Sequence, residues 1–220
     1  ILIRDLTELR DRDRQLVTKD ATIREIHHRV KNNLQTVAAL LRLQSRRMSN
    51  SDAKDALKQA MGRVSAIAVV HEILSQNFEE QVAFDEVADR ILHMVGDVAA
   101  SSGSVVARRE GSFGEVPAET ATALSLATTE LCQNAIEHSL DSSSGNVIVR
   151  PHRTDDALVV DIVSDGKPLP EGFSLDNHRS SLGLSIVTTL MQDLGGTFTL
   201  EDNSDRVGTC ARLVIPLQRL

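Results

Sequence analysis

The chain has 220 residues, of which 41% are hydrophobic and 25% charged, and its formal net charge is −7. This balance is typical of a folded soluble protein, and it provides no basic surface for direct contact with nucleic acid. No run of about 18 apolar residues occurs, so we expect no membrane segment. Two cysteines without metal-ligand spacing fit a cytoplasmic location.

Residues 6–48 carry a seven-residue repeat of apolar side chains, which predicts one long helix that packs against other helices. The repeat runs through Leu9, Leu16, Ile23, Val30 and Val37. A seven-residue period winds helices around one another in a left-handed supercoil. The apolar stripe is narrow before residue 22, as in a two-stranded coiled coil, and wider after it, as in a four-helix bundle.

A second helix is predicted after residues 49–52, Ser-Asn-Ser-Asp, which interrupt the repeat and offer oxygens that can cap a helix. Its apolar residues follow one another at spacings of three and four as far as Leu74. Two antiparallel helices form a hairpin, and two hairpins complete a four-helix bundle. The first part of the chain therefore predicts a homodimer.

The second half of the chain has a different pattern, in which helical spacing alternates with short β-branched runs. It predicts helices at 84–100, 117–140 and 185–194, and strands at 104–110, 146–152, 157–163, 197–201 and 208–215. Such a mixture favours a two-layer α/β sandwich with a mixed sheet. The overall class predicted is α+β, a helical-hairpin dimerisation domain followed by this sandwich.

Residues 25–37 contain two adjacent histidines that helical phase separates. With Ile23 on the seam of the bundle, His27 lies beside the seam and His28 faces away from it. A nucleophile that enters another domain's site must be exposed, and neutral imidazole is a competent nucleophile near neutral pH. This favours His28, although two polar residues on a solvated face would look the same. His71, on the second helix, is more simply a hydrogen-bonded core histidine.

Residues 129–138 place an acid, an amide and an imidazole at positions i, i+4 and i+8, which share one helix face. They are Glu130, Asn134 and His138, and the pattern alone would also suit a polar surface. Two glycine segments follow. One ends a strand with Asp165-Gly166, and the other opens a helix at Gly183, where backbone amides favour phosphate.

These motifs together resemble known families. The string from His28, His-Arg-Val-Lys-Asn-Asn-Leu-Gln, resembles the phosphoacceptor box of the HisKA_2 family, relatives of the HWE histidine kinases. Glu-Leu-x-x-Asn-Ala-x-x-His from Glu130 resembles the N box of the GHKL ATPases. The resemblance implies that His28 is phosphorylated, that Glu130 activates it, that Asn134 coordinates Mg²⁺ and that His138 approaches the phosphates of ATP. Mg²⁺ prefers oxygen ligands and a carboxylate can accept the nucleophile's proton.

The glycine segments resemble the G1 and G2 boxes of the same ATPases. This implies further ATP contacts from Asp165, Gly166, Gly183, Leu184 and Thr209. One departure stands out, because the Asp that reads adenine in the family aligns with Ser164 here. Either the strand end is shifted by one residue and Asp165 reads adenine, or Ser164 fills that position and binding is weaker. We favour Asp165, the only acid beside Gly166.

The resemblance also implies an organisation and partners. We expect the end of a PAS-like sensor domain and a coiled-coil linker at 1–19, a dimerisation and phosphotransfer domain at 20–80, and an ATP-binding domain of the GHKL (Bergerat) fold at 81–220. Ile-Leu-Ile-Arg-Asp-Leu-Thr-Glu at the start resembles a PAS exit motif, so an upstream PAS or GAF domain is expected. The arrangement is similar to actinobacterial kinases that pair with ANTAR-type response regulators. The alternative is a degenerate kinase that serves as a dimeric scaffold. Ser164 and Pro168, which depart from the G1 box of the family, favour this alternative.

Overall fold

The computed structural model describes residues 7–76, 81–100, 105–140, 144–175, 182–204 and 206–217, with side chains from residue 21 onward and not at 98–100. The helices are α1 Thr7–Arg47, α2 Ser51–Gln76, α3 Phe84–Ala100, α4 Ala118–Asn134 and α5 Leu182–Asp193. The strands are β1 Gln81–Ala83, β2 Val105–Arg109, β3 Glu115–Pro117, β4 Gly145–Arg153, β5 Ala157–Ser164, β6 Thr197–Asp202 and β7 Thr209–Pro216. The predicted PAS exit motif falls partly on residues 1–6, outside the described residues.

The first two helices form the predicted hairpin. α1 is a single helix over nearly the whole range of the heptad repeat, and α2 returns along it. The side chain of Asn50 caps α2, because its Oδ1 accepts a hydrogen bond from the backbone N–H of Ala53 at 3.1 Å. The interruption of the repeat at 49–52 therefore covers the end of the turn and the first residues of α2.

Two different faces of α1 carry apolar side chains. The face toward α2 includes His27 and the half-buried Leu34 and Leu41, which follow it at seven-residue steps. A second face, which we call the apolar stripe of α1, is exposed and consists of Ile23, Ile26, Val37 and Leu40. Leu40 is 58% exposed and Ile26 53%. The hairpin alone therefore covers only part of the apolar surface that the heptad repeat supplies.

The rest of the chain forms the predicted α/β sandwich. Its mixed five-stranded sheet has the order β2-β4-β5-β7-β6, in which β2 and β4 are parallel and the other pairs antiparallel. Side chains of β5 alternate between the two sides of the sheet, so that Leu158, Val160 and Ile162 are buried in the core. The antiparallel pair of β1 and β3 is an addition that the sequence did not predict.

One core joins both parts of the molecule. Phe84 and Phe113 pack edge to face with 4.8 Å between ring centroids, next to buried residues of α4 and the sheet. Ala66, Val70 and Ile73 of α2 belong to the same buried cluster. The C-terminal half of α2 therefore packs on the sandwich as well as on α1. Within the described ranges, no helix is both long enough and apolar enough to cross a membrane.

Candidate functional site

A cavity of about 480 Å³ lies between α4, α5 and the sheet. Its apolar lining comes from Leu131, Ile162, Leu184, Leu200, Ala211 and Phe173. Its polar lining comes from Asn134, His138, Ser139, Lys167 and Thr209. An apolar slot with a few converging polar groups is the usual form of a small-molecule site. Four residues predicted from the sequence line this cavity: Asn134, His138, Leu184 and Thr209.

Asn134 is the last residue of α4 and carries an unsatisfied group. Its Nδ2 is buried and has no hydrogen-bond partner among the described residues. Leaving a buried polar atom unpaired costs about 1–3 kcal/mol, so such an atom indicates a site that a ligand completes. Its amide can present either nitrogen or oxygen to that ligand, because the two assignments are interchangeable by a flip.

A π-helical turn at Ala135–Ser139 continues α4 and carries His138. It is closed by the hydrogen bond from Leu140 N to Ala135 O at 2.9 Å. The three polar residues predicted to lie at regular helical spacing are therefore not on one unbroken α-helix. His138 nevertheless lines the same cavity as Asn134, and single π-turns often occur at functional sites.

Two predicted glycines permit close approaches at the edge of the cavity. A Cβ at Gly183, in the first turn of α5, would lie 2.6 Å from Oε2 of Glu130 and 3.7 Å from Nδ2 of Asn134. A Cβ at Gly166 would lie 2.2 Å from the carbonyl oxygen of Ser139. Only glycine fits at 166, where the contact is with backbone, and Gly183 brings the N-terminus of α5 next to Asn134, where backbone N–H groups favour an anion.

Ser164 and Asp165 lie on opposite sides of the sheet. Ser164 is fully buried on the core side, where its hydroxyl is 2.7 Å from that of Ser139 and 2.9 Å from that of Thr209. Asp165 accepts hydrogen bonds on the other side, from the backbone and side-chain N–H groups of Asn146, both at 2.6 Å. Burial alone would raise the pKa of Asp165, but these hydrogen bonds outweigh it and hold the pKa below its usual value. The structure thus does not bring Asp165 to the cavity, which argues against our preference for it.

Glu130 is buried beside Gly183 but contacts a residue that the sequence did not single out. Arg63 of α2 donates to both of its carboxylate oxygens, at 2.6 and 2.9 Å. The hydrogen bonds to Glu130 raise the pKa of the Arg63 guanidinium. Lone arginines are common on helix surfaces, so no spacing in the sequence could have identified Arg63.

The two adjacent histidines have different environments. His28 is exposed on α1, as its helical phase predicted, while His27 faces α2. The Nδ1 atoms of His27 and His71 are 2.9 Å apart, so His71 is the hydrogen-bonded histidine that we expected. Burial lowers the pKa of both, and the neighbouring His28 further lowers that of His27.

The cavity offers few protein ligands for a metal, which suits a hard cation that keeps water and phosphate as its other ligands. No cluster of three or more His, Cys, Asp or Glu residues that could hold a metal occurs among the described residues. An Asn oxygen suits Mg²⁺, which keeps water and phosphate ligands when it binds proteins, and the nearby helix N-terminus suits the phosphates. Lys167, which the sequence motifs did not identify, supplies a positive charge to the lining.

A nucleotide-binding α/β sandwich attached to a helical hairpin with an exposed histidine defines the class of two-domain histidine kinase cores. Comparison with known families agrees. The HisKA_2 model, described as histidine kinase, matches residues 25–99. The HATPase_c model, described as histidine kinase-, DNA gyrase B- and HSP90-like ATPase, matches residues 119–219. The chain belongs to the sensor histidine kinases of the HisKA_2 type.

Individual relatives match nearly the whole chain. It is 51% identical over 222 residues to the sensor histidine kinase PdtaS of Mycobacterium tuberculosis, a match that covers 100% of the chain and 44% of the relative. It is 27% identical to the blue-light-activated histidine kinase 2 of Erythrobacter litoralis, over 91% of the chain and 58% of that protein. The histidine kinase domain of the Erythrobacter litoralis EL346 blue-light activated kinase superposes with a TM-score of 0.62 at 26% identity, covering 94% of each chain. The chain spans less than half the length of the PdtaS relatives.

Proposed function

We propose that the chain is the catalytic core of a homodimeric sensor histidine kinase that phosphorylates its own His28 with ATP. In this proposal residues 20–80 form the dimerisation and phosphotransfer domain, and residues 81–220 form the ATP-binding domain. The observation that carries the proposal is the buried, unpaired amide of Asn134, which faces an apolar cavity beside the glycine-opened N-terminus of α5. An adenine ring fits the apolar part, and phosphates fit the amide and the helix N-terminus.

The residues of the cavity divide between the two ends of ATP. Toward the phosphates we assign Asn134, His138 and Gly183, with Asn134 as the protein ligand of Mg²⁺. The cation, when bound, neutralises phosphate charge. Toward the adenine we assign Leu184, Gly166 and the hydroxyl pair of Ser164 and Thr209. This replaces Asp165 by Ser164 as the adenine reader, because the Ser164 hydroxyl contacts Ser139 and Thr209, which line the cavity, whereas Asp165 is paired with Asn146.

The proposed reaction transfers one phosphoryl group. A nitrogen of the His28 imidazole forms a bond to the γ-phosphorus, the bond from that phosphorus to the bridging oxygen breaks, and ADP leaves with the electron pair. The proton lost from the imidazole goes to the carboxylate of Glu130, which acts as general base. His28 suits the nucleophile because it is exposed, whereas His27 is paired with His71.

The proposal includes partners. A second copy of the chain is expected to cover the apolar stripe of α1, completing a four-helix bundle around a coiled coil. The phosphoryl group then passes from His28 to an aspartate of a response regulator, for which the sequence resemblance favours the ANTAR type. Both steps belong to a cytoplasmic signalling pathway.

The test is incubation of the purified dimer with γ-labelled ATP. We expect an acid-labile, alkali-stable phosphoryl group that is absent in His28→Gln and in the presence of a chelator, but that persists in His27→Gln. His27→Gln is the matched control, because it removes a neighbouring imidazole from the same helix. Loss of labelling in a folded His27→Gln protein, with normal labelling of His28→Gln, would refute the assignment.

A second function, a dimeric scaffold with weak nucleotide binding, is favoured by one observation. Asp165, the only acid beside Gly166, is turned away from the cavity and paired with Asn146. A scaffold would dimerise normally but show no labelling of His28 at any ATP concentration. The same experiment therefore separates the two functions.

A further inference from the structure

A buried ion pair joins α2 of the hairpin to α4 of the ATP-binding domain. Arg63 donates from Nε to Oε1 of Glu130 at 2.6 Å and from Nη2 to Oε2 at 2.9 Å. The Glu130 side chain is 3% exposed and that of Arg63 17%. The two residues are 67 positions apart in the chain. Bidentate pairs of this geometry are among the strongest polar contacts in proteins.

The surrounding contact is built for close docking of the two helices. A Cβ at Gly62 would lie 2.5 Å from Nε2 at the end of the Gln133 side chain, so the glycine leaves room for that side chain between α2 and α4. One turn earlier, Gln59 donates to Glu137 at 3.2 Å. Contacts thus continue over successive turns of both helices, with the ion pair as their most buried polar element.

This arrangement does not permit the proposed proton transfer. Both oxygens of Glu130 accept hydrogen bonds from the Arg63 guanidinium and the side chain is 3% exposed, so an imidazole cannot reach the carboxylate while the pair is closed. The hairpin also holds His28 away from Glu130. His27, the neighbour of His28, pairs with His71, which lies eight residues beyond Arg63 on α2 or about 12 Å along the helix axis. Within one chain, Glu130 therefore faces a different level of the hairpin from His28.

We propose that the Arg63–Glu130 pair is an autoinhibitory latch, which holds the ATP-binding domain against α2 and occupies the base that His28 phosphorylation needs. This inference rests on the proposed function of Glu130. Because Arg63 belongs to α2, any movement of the hairpin that displaces α2 relative to α4 withdraws the guanidinium and frees the carboxylate. Removal of Arg63 would leave the Glu130 carboxylate buried and unpaired as long as α2 stays docked on α4. The energetic cost of that unpaired charge strongly disfavours the docked state.

The first test measures rates in the full chain. We expect Arg63→Met to raise the initial rate of phosphohistidine formation at saturating Mg·ATP by about tenfold, the factor that corresponds to 1.4 kcal/mol. The ATP concentration at half-maximal rate should stay unchanged. Arg63→Lys keeps the charge but loses the fork geometry, so its rate should lie between the two. Gln59→Ala, which removes an exposed hydrogen bond of the same contact, is the matched control and should resemble the unmodified protein.

Two further measurements separate the latch from the proposed function. The rate gained in Arg63→Met should vanish when Glu130→Gln is added, because the freed base is then absent. Small-angle scattering without nucleotide should show a larger radius of gyration for Arg63→Met than for Gln59→Ala. If the unmodified protein does not label His28, the proposed function fails and with it the autoinhibitory role, while that expansion would still show that the Arg63–Glu130 pair holds α2 against α4. The latch proposal would be overturned if folded Arg63→Met labelled no faster than the unmodified protein, or if its radius of gyration were unchanged.

Discussion

The hairpin and the α/β sandwich differ in how completely they bury their apolar side chains. The sandwich encloses its large apolar side chains, among them Phe84, Phe113 and Leu213, within its own layers. The hairpin buries apolar residues mainly at the end of α2 that meets the sandwich, and leaves the stripe of α1 exposed. Period-two alternation in the sandwich describes contacts inside one chain. The seven-residue repeat of the hairpin also supplies side chains that α2 leaves exposed, for which we propose contacts with a second hairpin.

The largest effect is expected from charge on the apolar stripe of α1. Val37→Glu combined with Leu40→Glu would bury four unpaired carboxylates in a dimer, each at a cost of several kcal/mol. The same side chains are exposed in a single chain, so the sandwich and the hairpin of the monomer should remain folded. Sedimentation is expected to show a folded monomer for this variant and a dimer for the unmodified protein.

The outer face of α1 provides the control for that experiment. Gln35→Glu adds a carboxylate to an exposed position in the phase of His28, two residues before Val37. It should leave the dimer intact. A dimer of unchanged affinity in the Val37/Leu40 variant would show that the stripe is not the subunit interface. The hairpin would then not depend on a second chain to cover these apolar residues.

Much of the architecture could be predicted because its patterns are long. The heptad repeat located the C-terminal end of α1 to within a residue, and the cap at Asn50 marked the start of α2. β1 and β3 were missed because three residues show no period. The π-turn after Asn134 was missed because it differs from an α-helix in backbone hydrogen bonding and not in residue type.

The site was predictable where a motif carried it and not where distant elements meet. Asn134, His138, Leu184 and Thr209 could be named from the sequence because each lies in a recognisable motif. In the structure they line one cavity. Arg63 reaches Glu130 only through the docking of two helices, which no local string records. The orientation of Asp165 was available from the sequence, because in an extended strand a core-facing Ile162 places Ser164 inward and Asp165 outward.

The second prediction concerns this strand end within the sandwich. Ser164→Asp would place a carboxylate where the hydroxyl and backbone N–H of Thr209 can donate to it and where adenine is proposed to bind. A charged acceptor is about twice as strong as a neutral one, so we expect ATP to bind about tenfold more tightly. Titration calorimetry measures this directly.

Asp165→Asn is the matched variant on the other side of the sheet. It disturbs the contact with Asn146 but not the cavity, so ATP affinity should stay within about twofold of the unmodified protein, as for changes away from a site. Near-complete loss of ATP binding in Asp165→Asn, together with no gain in Ser164→Asp, would restore Asp165 as the adenine reader.

The smallest effect is expected from pH, and it should arise in the hairpin. The pKa of His27 and that of His71 are both lowered below the ordinary 6.5, first by burial and then by a neighbouring histidine. The unfolded chain therefore binds more protons than the folded one below about pH 6.5. The stabilisation is fully present above that pH and is lost as the pH falls toward the lowered values. Protonation of both rings would also place two positive charges at a 2.9 Å contact, beside Lys31 and its ion pair with Glu72.

Thermal unfolding at fixed protein concentration should therefore show a lower midpoint at pH 5.5 than at pH 7.5. His71→Gln removes one of the paired imidazoles and should reduce that difference. His152→Gln removes an exposed histidine of β4 and should leave it unchanged, because that imidazole lies in the sandwich and outside the pair. If His71→Gln and the unmodified protein lose stability equally on acidification, the pair does not couple the hairpin to pH.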